Sequence, residues 1–552
     1  MSTELVKKVA EIQSEPLYAA LPSFLDIRTS STDGRGIWAR EALSAGATLM
    51  ALKPHVHVLS TRNLELYCSA CTSPAPVTGL KRCTRCRVIW YCSTACQNND
   101  WTMHKPECAA IQRWAANAPS PDVSIPAEPI RCLGRLLWRK QKLRSSSTWA
   151  KEVDGLQSHR KDLQPSTYES HTHLAHAVVK YLGLDAPGQL GAYGITTAAD
   201  LVDLISRFIT NSITLTAPSL TPLGVSVSPL VALINHSCDP NAVVVYPRST
   251  SDPSQQEPQM QVVAIKNIAP DQEIFTAYID TTMPRGHRQA ALTTTYNFTC
   301  KCSLCSQPDG MDLREAIWCP KNCGGTCPLP TEENTLSRCG KCKAIVSSTD
   351  SVLDALRVGQ EALQKATSLQ LTETAKALQL TTNIIPILTS SKLTPSSHPL
   401  LALTRLHQTL LLATLPSTMT QEALDNLILA TSSTVAGLST ILTPGHPIRA
   451  LAIAELGKLL AVDEPSPAPD ANNRKFPPSG PARLKAAHDT LVRARSELKV
   501  GFGARNDGGE VGREVREMVV RLEKELQVWK QGVKNVMEDT PGLKKRGSGG
   551  SK

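Results

Sequence analysis

No stretch of this chain approaches the roughly 18 uninterrupted apolar residues that a bilayer-crossing helix requires, so no membrane span is expected. The opening residues, MSTELVKKVAEIQ, carry charges throughout and hold no apolar h-region, so no secretory leader is expected either. Neither charge sign dominates. A formal net charge of +10 over 552 residues is mild, compatible with an acidic partner without requiring one. No Arg/Lys-rich recognition helix with base-reading spacing is present, and direct nucleic-acid binding is not expected. Cysteine is missing altogether after Cys342. That absence divides the chain into a first part able to bind soft metals and a last part that cannot.

What is present is the balance of an ordinary soluble protein, 41% hydrophobic and 20% charged, long enough for several domains. The 17 cysteines are clustered: seven between Cys68 and Cys108, then Cys238, then Cys300, Cys302 and Cys305, then five between Cys319 and Cys342. Clustered cysteine without a leader points to a reducing compartment and to metal, not disulfides. Cys132 stands alone and reads as a buried thiol. Pro/Ser-rich stretches at 117–129, 247–259 and 463–482 read as surface loops. From about Val352 the periodicity is helical. Leu484, Leu491 and Leu498 recur with Ala487 and Ala494 between them, and Val515, Met518, Leu522, Leu526 and Trp529 mark one apolar face. Paired helices in the manner of a TPR-like solenoid are expected, without a strict 34-residue consensus.

The segment from Cys68 to Cys108 offers eight zinc-type ligands: Cys68, Cys71, Cys83, Cys86, Cys92, Cys96, His104 and Cys108. Zinc takes four N/S ligands in a tetrahedron, and pairs two or three residues apart let one turn supply two of them, so eight ligands mean two ions. The spacing closely resembles the MYND zinc finger. That resemblance implies interleaved sites, with Cys68, Cys71, Cys92 and Cys96 on one ion and Cys83, Cys86, His104 and Cys108 on the other. Both sites are then closed and structural. The family can bind proline-rich peptides at this module, which makes such a peptide a partner to consider.

Four further stretches matter in order: DGRGIWAREALSAGATLM (Asp33–Met50), NSITL (Asn211–Leu215), LINHSCDPNA (Leu233–Ala242) and DQEIFTAYID (Asp271–Asp280), followed by YNFTCKCSLC (Tyr296–Cys305). Taken singly each is bland. LINHSCDPNA alone reads as a buried strand ending in an Asx-type turn. Tyr278 alone reads as a core tyrosine, His236 as a satisfied core histidine and Arg35 as a solvated loop residue. Together they resemble the SET domain, and with the finger inserted they resemble the SMYD family of protein lysine methyltransferases. The resemblance implies an α+β fold: a SET-domain β-fold with an inserted MYND finger, a zinc-binding post-SET segment and a C-terminal all-α TPR-like domain. The expected boundaries are 1–66 for the first part of the SET domain, 67–109 for the finger and 110–205 for a helical insert. The rest of the SET core takes 206–282, the cysteine-rich post-SET segment 283–345, the helical domain 350–532 and a disordered basic tail 533–552.

The resemblance also implies an activity, the transfer of a methyl group from S-adenosyl-L-methionine to a lysine side chain of a histone or another protein. Gly34, Arg35, Gly36, Asn211, Asn235, His236, Tyr278 and Phe298 are the implied cofactor-binding residues. Tyr278 is the implied catalytic tyrosine, and Tyr296 lines the substrate channel. Cys238 is the implied fourth ligand to Cys300, Cys302 and Cys305, giving a third zinc. Cys319, Cys323, Cys339 and Cys342 have zinc-ribbon spacing and make a fourth ion an open question, with Cys327 a competing ligand and free thiols the other reading. A monomer in nucleus and cytoplasm is expected. The alternative function is an inactive zinc-dependent adaptor that recruits partners through finger and helices. Loss of the tyrosine or of the Asn-His pair favours it, and this sequence keeps both.

Overall fold

In the computed structural model the described residues are 17–30, 34–248, 257–306, 311–331, 336–347, 349–415, 419–466 and 476–539. The chain forms two compact units, Met1–Ile279 with Gln289–Cys302, and Asp280–Arg288 with Ser303–Lys552.

The first unit is built from short strands that pair across long sequence distances. Strands β1 (Leu25–Ser30) and β2 (Gly34–Ala39) form an antiparallel hairpin. Strand β3 (Thr48–Leu52) pairs with β11 (Met260–Ala264), which pairs with β10 (Ala242–Val245). Strand β4 (Val56–Leu59) and β7 (Ser212–Thr216) flank β8 (Pro222–Val227). Every residue of β4 and β11 is buried, which fits their largely apolar sequences VHVL and MQVVA, with His57 and Gln261 the buried polar exceptions. Strand β9 (Asn235–His236) pairs in parallel with β12 (Phe275–Thr276). The segment leading into β12 also bonds to the first hairpin: Ile274 N donates to Ile37 O and Ala39 N to Gln272 O, at 2.8 and 3.0 Å. LINHSCDPNA therefore does end an apolar run, but its Asn-His pair is strand, held between neighbours.

Between β4 and β7 lie the finger, with β5 (Lys81–Arg82), β6 (Trp90–Tyr91) and helix α1 (Thr94–Ala116), and then helices α2 (Glu128–Leu143), α3 (Thr148–Asp154), α4 (Pro165–Leu182) and α5 (Ala198–Asn211). Helix α5 shows how the sequence sets these elements. Thr197 accepts from Asp200 N at 3.1 Å and Asp200 accepts back from Thr197 N at 2.8 Å, satisfying two donors at the helix start. Leu201, Leu204, Ile205 and Phe208 then fall on one buried face. The helix stops at Asn211 and the chain enters β7 directly. Of the three expected loops, 117–129 contains a 3-10 turn at Pro121–Val123 and the first residues of α2, 247–259 falls largely outside the described residues, and 463–482 is described at 463–466 and 476–482, where Pro481 opens a helix.

The second unit holds the cysteine ribbon, with β13 (Ala316–Trp318) and β14 (Thr326–Pro328), and then helices Thr349–Leu369, Thr374–Ser390, Leu400–Ala413, Gln421–Ile441, Pro447–Leu460, Pro481–Gly501 and Gly509–Asp539. Each of these helices packs against the next in sequence. Ala487, Leu491, Ala494, Leu498, Val515 and Leu522 are buried as the periodicity predicts. Trp529, expected on the same apolar face, is 52% exposed, because the packed part of the last helix ends about a turn earlier. That helix also continues through 533–539, where a disordered tail was expected, and residues 540–552 lie outside the described residues.

Candidate functional site

The finger brings its eight ligands into two quartets, Cys68, Cys71, Cys92 and Cys96, and Cys83, Cys86, His104 and Cys108, with all donor atoms of a quartet within 4.8 Å of one another. Local structure delivers them in pairs. Cys83 and Cys86 sit in the turn between β5 and β6. His104 and Cys108 stand one helical turn apart on α1. Ser93 caps α1 by accepting from Cys96 N at 3.1 Å, fixing the first turn that carries Cys96. The chemistry of each set, three or four soft donors closed around a point, fits zinc without an open position.

One network here has no signature in the ligand spacing. His104 Nδ1 is 3.1 Å from Glu107 Oε2, Glu107 receives Arg135 Nη2 at 2.5 Å, and Arg135 grips Asp100 through two bonds of 3.0 Å. Burial works to raise the Glu107 carboxyl, but the Arg135 charge and the His104 bond outweigh it and hold it below the ordinary range. A carboxylate on the far nitrogen fixes the tautomer so that Nε2 faces the cysteines. The i, i+3 spacing of His104 and Glu107 on a helix was the available clue; Arg135 comes from α2 and could be placed only in three dimensions.

A third quartet joins Cys238, Cys300, Cys302 and Cys305, again within 4.8 Å. It touches the residues singled out around LINHSCDPNA. His236 Nε2 lies 3.3 Å from Cys238 Sγ, and His236 Nδ1 accepts from Tyr278 N at 3.0 Å. An acceptor at Nδ1 places the proton on Nε2, facing the sulfur. Both ring nitrogens thus make internal contacts, so the imidazole is committed within the protein.

Around this histidine the aromatic residues converge. Ring centres lie 5.2 Å apart for His236 and Tyr278, 6.0 Å for His236 and Phe298, and 4.9 Å for Tyr278 and Tyr296. The Tyr278 hydroxyl donates to Ile234 O at 2.6 Å, and the Tyr296 hydroxyl to Tyr278 O at 3.3 Å. Burial, then the nearby Tyr296 and Glu273, pushes the Tyr278 phenol above its ordinary value of 10. Burial also raises Tyr296.

The glycines divide in role. Gly34 has φ +72°, and a Cβ there would meet nothing within 4 Å, so its left-handed turn borders open space. Gly36 faces Glu273 and Asn235, where a Cβ would come within 2.2 Å of Glu273 Oε1 and 3.0 Å of Asn235 Nδ2. Asn235 Nδ2 donates to Glu273 Oε1 at 2.8 Å and to Arg35 O at 3.2 Å, which commits its amide nitrogen. The Arg35 guanidinium bonds Gly155 O. Asn211 stands apart: its amide donates to Gln157 O and Arg207 O at 2.8 and 2.7 Å, a helix-ending role. Two residues of this site were not singled out in the sequence. Glu273 is 7% exposed beneath Gly36. Asn241, also buried, donates to Glu273 O and accepts from Phe275 N, both at 2.8 Å, tying the strand after the turn to β12. Glu273 follows Asp271 and Gln272 at the head of EIF and gave no signal of its own; Asn241 looked like a turn residue.

The two interleaved finger quartets define a class, and the MYND finger model matches residues 67–108. The chain is 30% identical over 285 residues to the N-lysine methyltransferase SMYD2 of Homo sapiens, covering 50% of this chain and 59% of that protein. It is 31% identical over 277 residues to SMYD2-B of Danio rerio, covering 50% and 58%. It is 27% identical over 373 residues to the histone-lysine N-methyltransferase ASHR1 of Arabidopsis thaliana, covering 63% and 72%. The matches to the first of these relatives span about three fifths of their length. The SET domain of LSMT, solved bound to lysine and AdoHcy, is similar over 92% of this chain and 89% of that chain at a TM-score of 0.30 and 10% identity. The chain is therefore similar to the MYND finger over residues 67–108 and to N-lysine methyltransferases over about half of its length.

Proposed function

We propose that this protein is an S-adenosyl-L-methionine-dependent protein lysine methyltransferase with structural zinc at the finger and at the Cys238 quartet. The observation that carries the reading is the Tyr278 hydroxyl, held on Ile234 O, the residue before Asn235, with the rings of His236 and Tyr296 packed against the Tyr278 ring. The residues present fit the cofactor. Gly34 opens onto free space, and the Asn235 amide, its nitrogen committed, carries in its oxygen an acceptor of the kind that an ammonium group needs.

When bound, the cofactor supplies an electrophilic methyl group on a sulfonium. The protein supplies position. Displacement at a methyl carbon requires alignment of amine, carbon and leaving sulfur, and fixing that geometry removes much of the barrier. The Tyr278 and Tyr296 rings give an aromatic wall for a lysine side chain. Their low polarity favours the neutral amine, the form with a lone pair. Burial keeps Tyr278 a neutral phenol, able to orient polar groups without introducing a fixed negative charge. The substrate is a protein carrying an accessible lysine.

The test is calorimetric titration of the full chain with S-adenosyl-L-methionine, followed by labelled-methyl transfer to a cell extract. Asn235→Ala is expected to weaken cofactor binding about five- to a hundredfold, the equivalent of roughly 1–3 kcal/mol for a lost buried hydrogen bond. A folded, metal-replete protein that neither binds the cofactor nor labels any protein would replace this reading with the adaptor.

A further inference from the structure

The cysteines from 319 to 342 are not used by that reading, and they are not dispersed. We propose that Cys319, Cys323, Cys339 and Cys342 form a fourth zinc site, a closed structural centre in the second unit. Their sulfurs all lie within 4.8 Å of one another. Cys319 and Cys342 are 3.5 Å apart, as are Cys323 and Cys339. Such a spacing is too long for a disulfide, whose sulfurs sit at about 2.05 Å. It is close to the edge of a tetrahedron with zinc–sulfur bonds of about 2.3 Å, which is roughly 3.8 Å.

The backbone is built around those sulfurs. Cys319 follows β13, and its N donates to Gly325 O at 3.0 Å while Asn322 N returns to Cys319 O at 2.9 Å, closing one knuckle. Cys339 N donates to Ala344 O at 2.9 Å and Lys343 N to Cys339 O at 3.0 Å, closing the second. Lys341 N points at Cys339 Sγ, 3.4 Å away, the amide-to-sulfur contact that stabilises a thiolate. Gly325 is the decisive position. A Cβ there would sit 2.9 Å from Cys339 Sγ and 3.4 Å from Cys323 Sγ, so the chain keeps a bare backbone where the two knuckles close. Lys321, Lys341 and Lys343 place three cations in the knuckles, suited to a centre whose four thiolates outweigh one divalent ion.

The structure also chooses among five cysteines. Cys327 lies on β14 opposite Ile317, is fully buried in the apolar cluster, and stands outside the quartet. Cys342 completes the set and is exposed, which makes it the corner through which the ion is reached. Strands of three residues each cannot hold this segment by themselves, so the metal supplies much of its folding energy. What the ion secures is a joint. Trp318 N donates to Lys392 O at 2.7 Å, and Ile317 bridges Leu393, so the ribbon is pinned to the turn after helix Thr374–Ser390.

The experiment reads metal and thiols only, so it is independent of methyl transfer. Native mass spectrometry of the full chain should count four zinc ions, one for each quartet. N-ethylmaleimide should spare Cys342 despite its exposure. After a strong chelator, Cys342, Cys319, Cys323 and Cys339 should become reactive together. The double substitution Cys319→Ser with Cys342→Ser should lose one ion, and Cys327→Ser none. Three ions in the wild type with Cys342 modified as fast as a free peptide thiol overturns the site, and so does an unchanged count in the folded double variant. Should that variant fail to fold, the wild-type count and labelling still decide.

Discussion

His236 is the residue on which the candidate active site turns, because it touches a metal ligand with one nitrogen and the Tyr278 backbone with the other. It thereby ties the third quartet to the tyrosine. Tyr278 itself is the sharper test. Tyr278→Phe keeps the ring contacts and loses only the hydroxyl, so cofactor affinity should stay within about twofold while turnover falls roughly ten- to a hundredfold. Single-turnover transfer assays beside calorimetry check this; full turnover would remove Tyr278 from the chemistry. The pH dependence follows from the raised phenol. Below its ordinary value of 10 the phenol is protonated in both folded and unfolded chains and contributes no slope. Above 10 only the unfolded chain ionises, so stability falls as pH rises. Transfer should climb with deprotonation of the substrate amine and show no falling limb from Tyr278 below about pH 10. At this scale the sequence was informative where a side chain is part of a contiguous motif, as with Asn235, His236 and Tyr278. It did not single out Glu273, and of the Arg135–Glu107–His104 chain it offered only the His104–Glu107 spacing on one helix, because Arg135 comes from a separate element.

Among the elements, the segment from Gln272 to Thr276 matters most. It bonds to β2 on one side and β9 on the other, and thereby sets Gly36, Asn235 and Glu273 against one another. Gly36→Ala should force Glu273 aside at the 2.2 Å contact, breaking the bond that orients Asn235. A destabilisation of about 1–3 kcal/mol is expected from overpacking, with cofactor affinity reduced at least about tenfold. Thermal unfolding and titration on one preparation measure both; a variant with wild-type values would mean that this packing has slack. Helices after residue 349 were legible because their apolar positions repeat with helical spacing. The two-residue strands β9 and β12 were not, since a pairing that brief carries no periodicity and is imposed by its neighbours. Trp529 failed for the complementary reason: periodicity marks a face but not where its partner helix stops.

Over the whole molecule, metal dependence should be graded. Chelation of the purified protein should release zinc and unfold the finger, which has little core of its own. The helices from Gln421 to Asp539 contain no cysteine and close on apolar contacts such as Leu424, Leu438, Ile453, Leu491 and Leu498. The share of the far-ultraviolet helix signal that these helices contribute should therefore survive, while intrinsic fluorescence from Trp90 and Trp101 changes. Collapse of the entire helix signal on chelation would show that those helices depend on the ions. The cysteine-free stretch after Cys342 was legible at once, but the partition into two units was not, because helix Arg285–Tyr296 begins in one and ends in the other.

The pairing of β3 with β11 sets a schedule for the ribosome. Thr48–Leu52 leaves the exit tunnel long before Met260–Ala264, its partner, has been made. Roughly 210 residues separate them, which at 5–20 residues per second is about 10–40 s of waiting. During that interval the nascent chain exposes an unpaired, largely apolar strand, an edge on which other chains can template. The finger, by contrast, can take up its ions as soon as Cys108 emerges. Yield in a recombinant host should therefore be governed by holdase capacity at the exit site as well as by zinc in the medium.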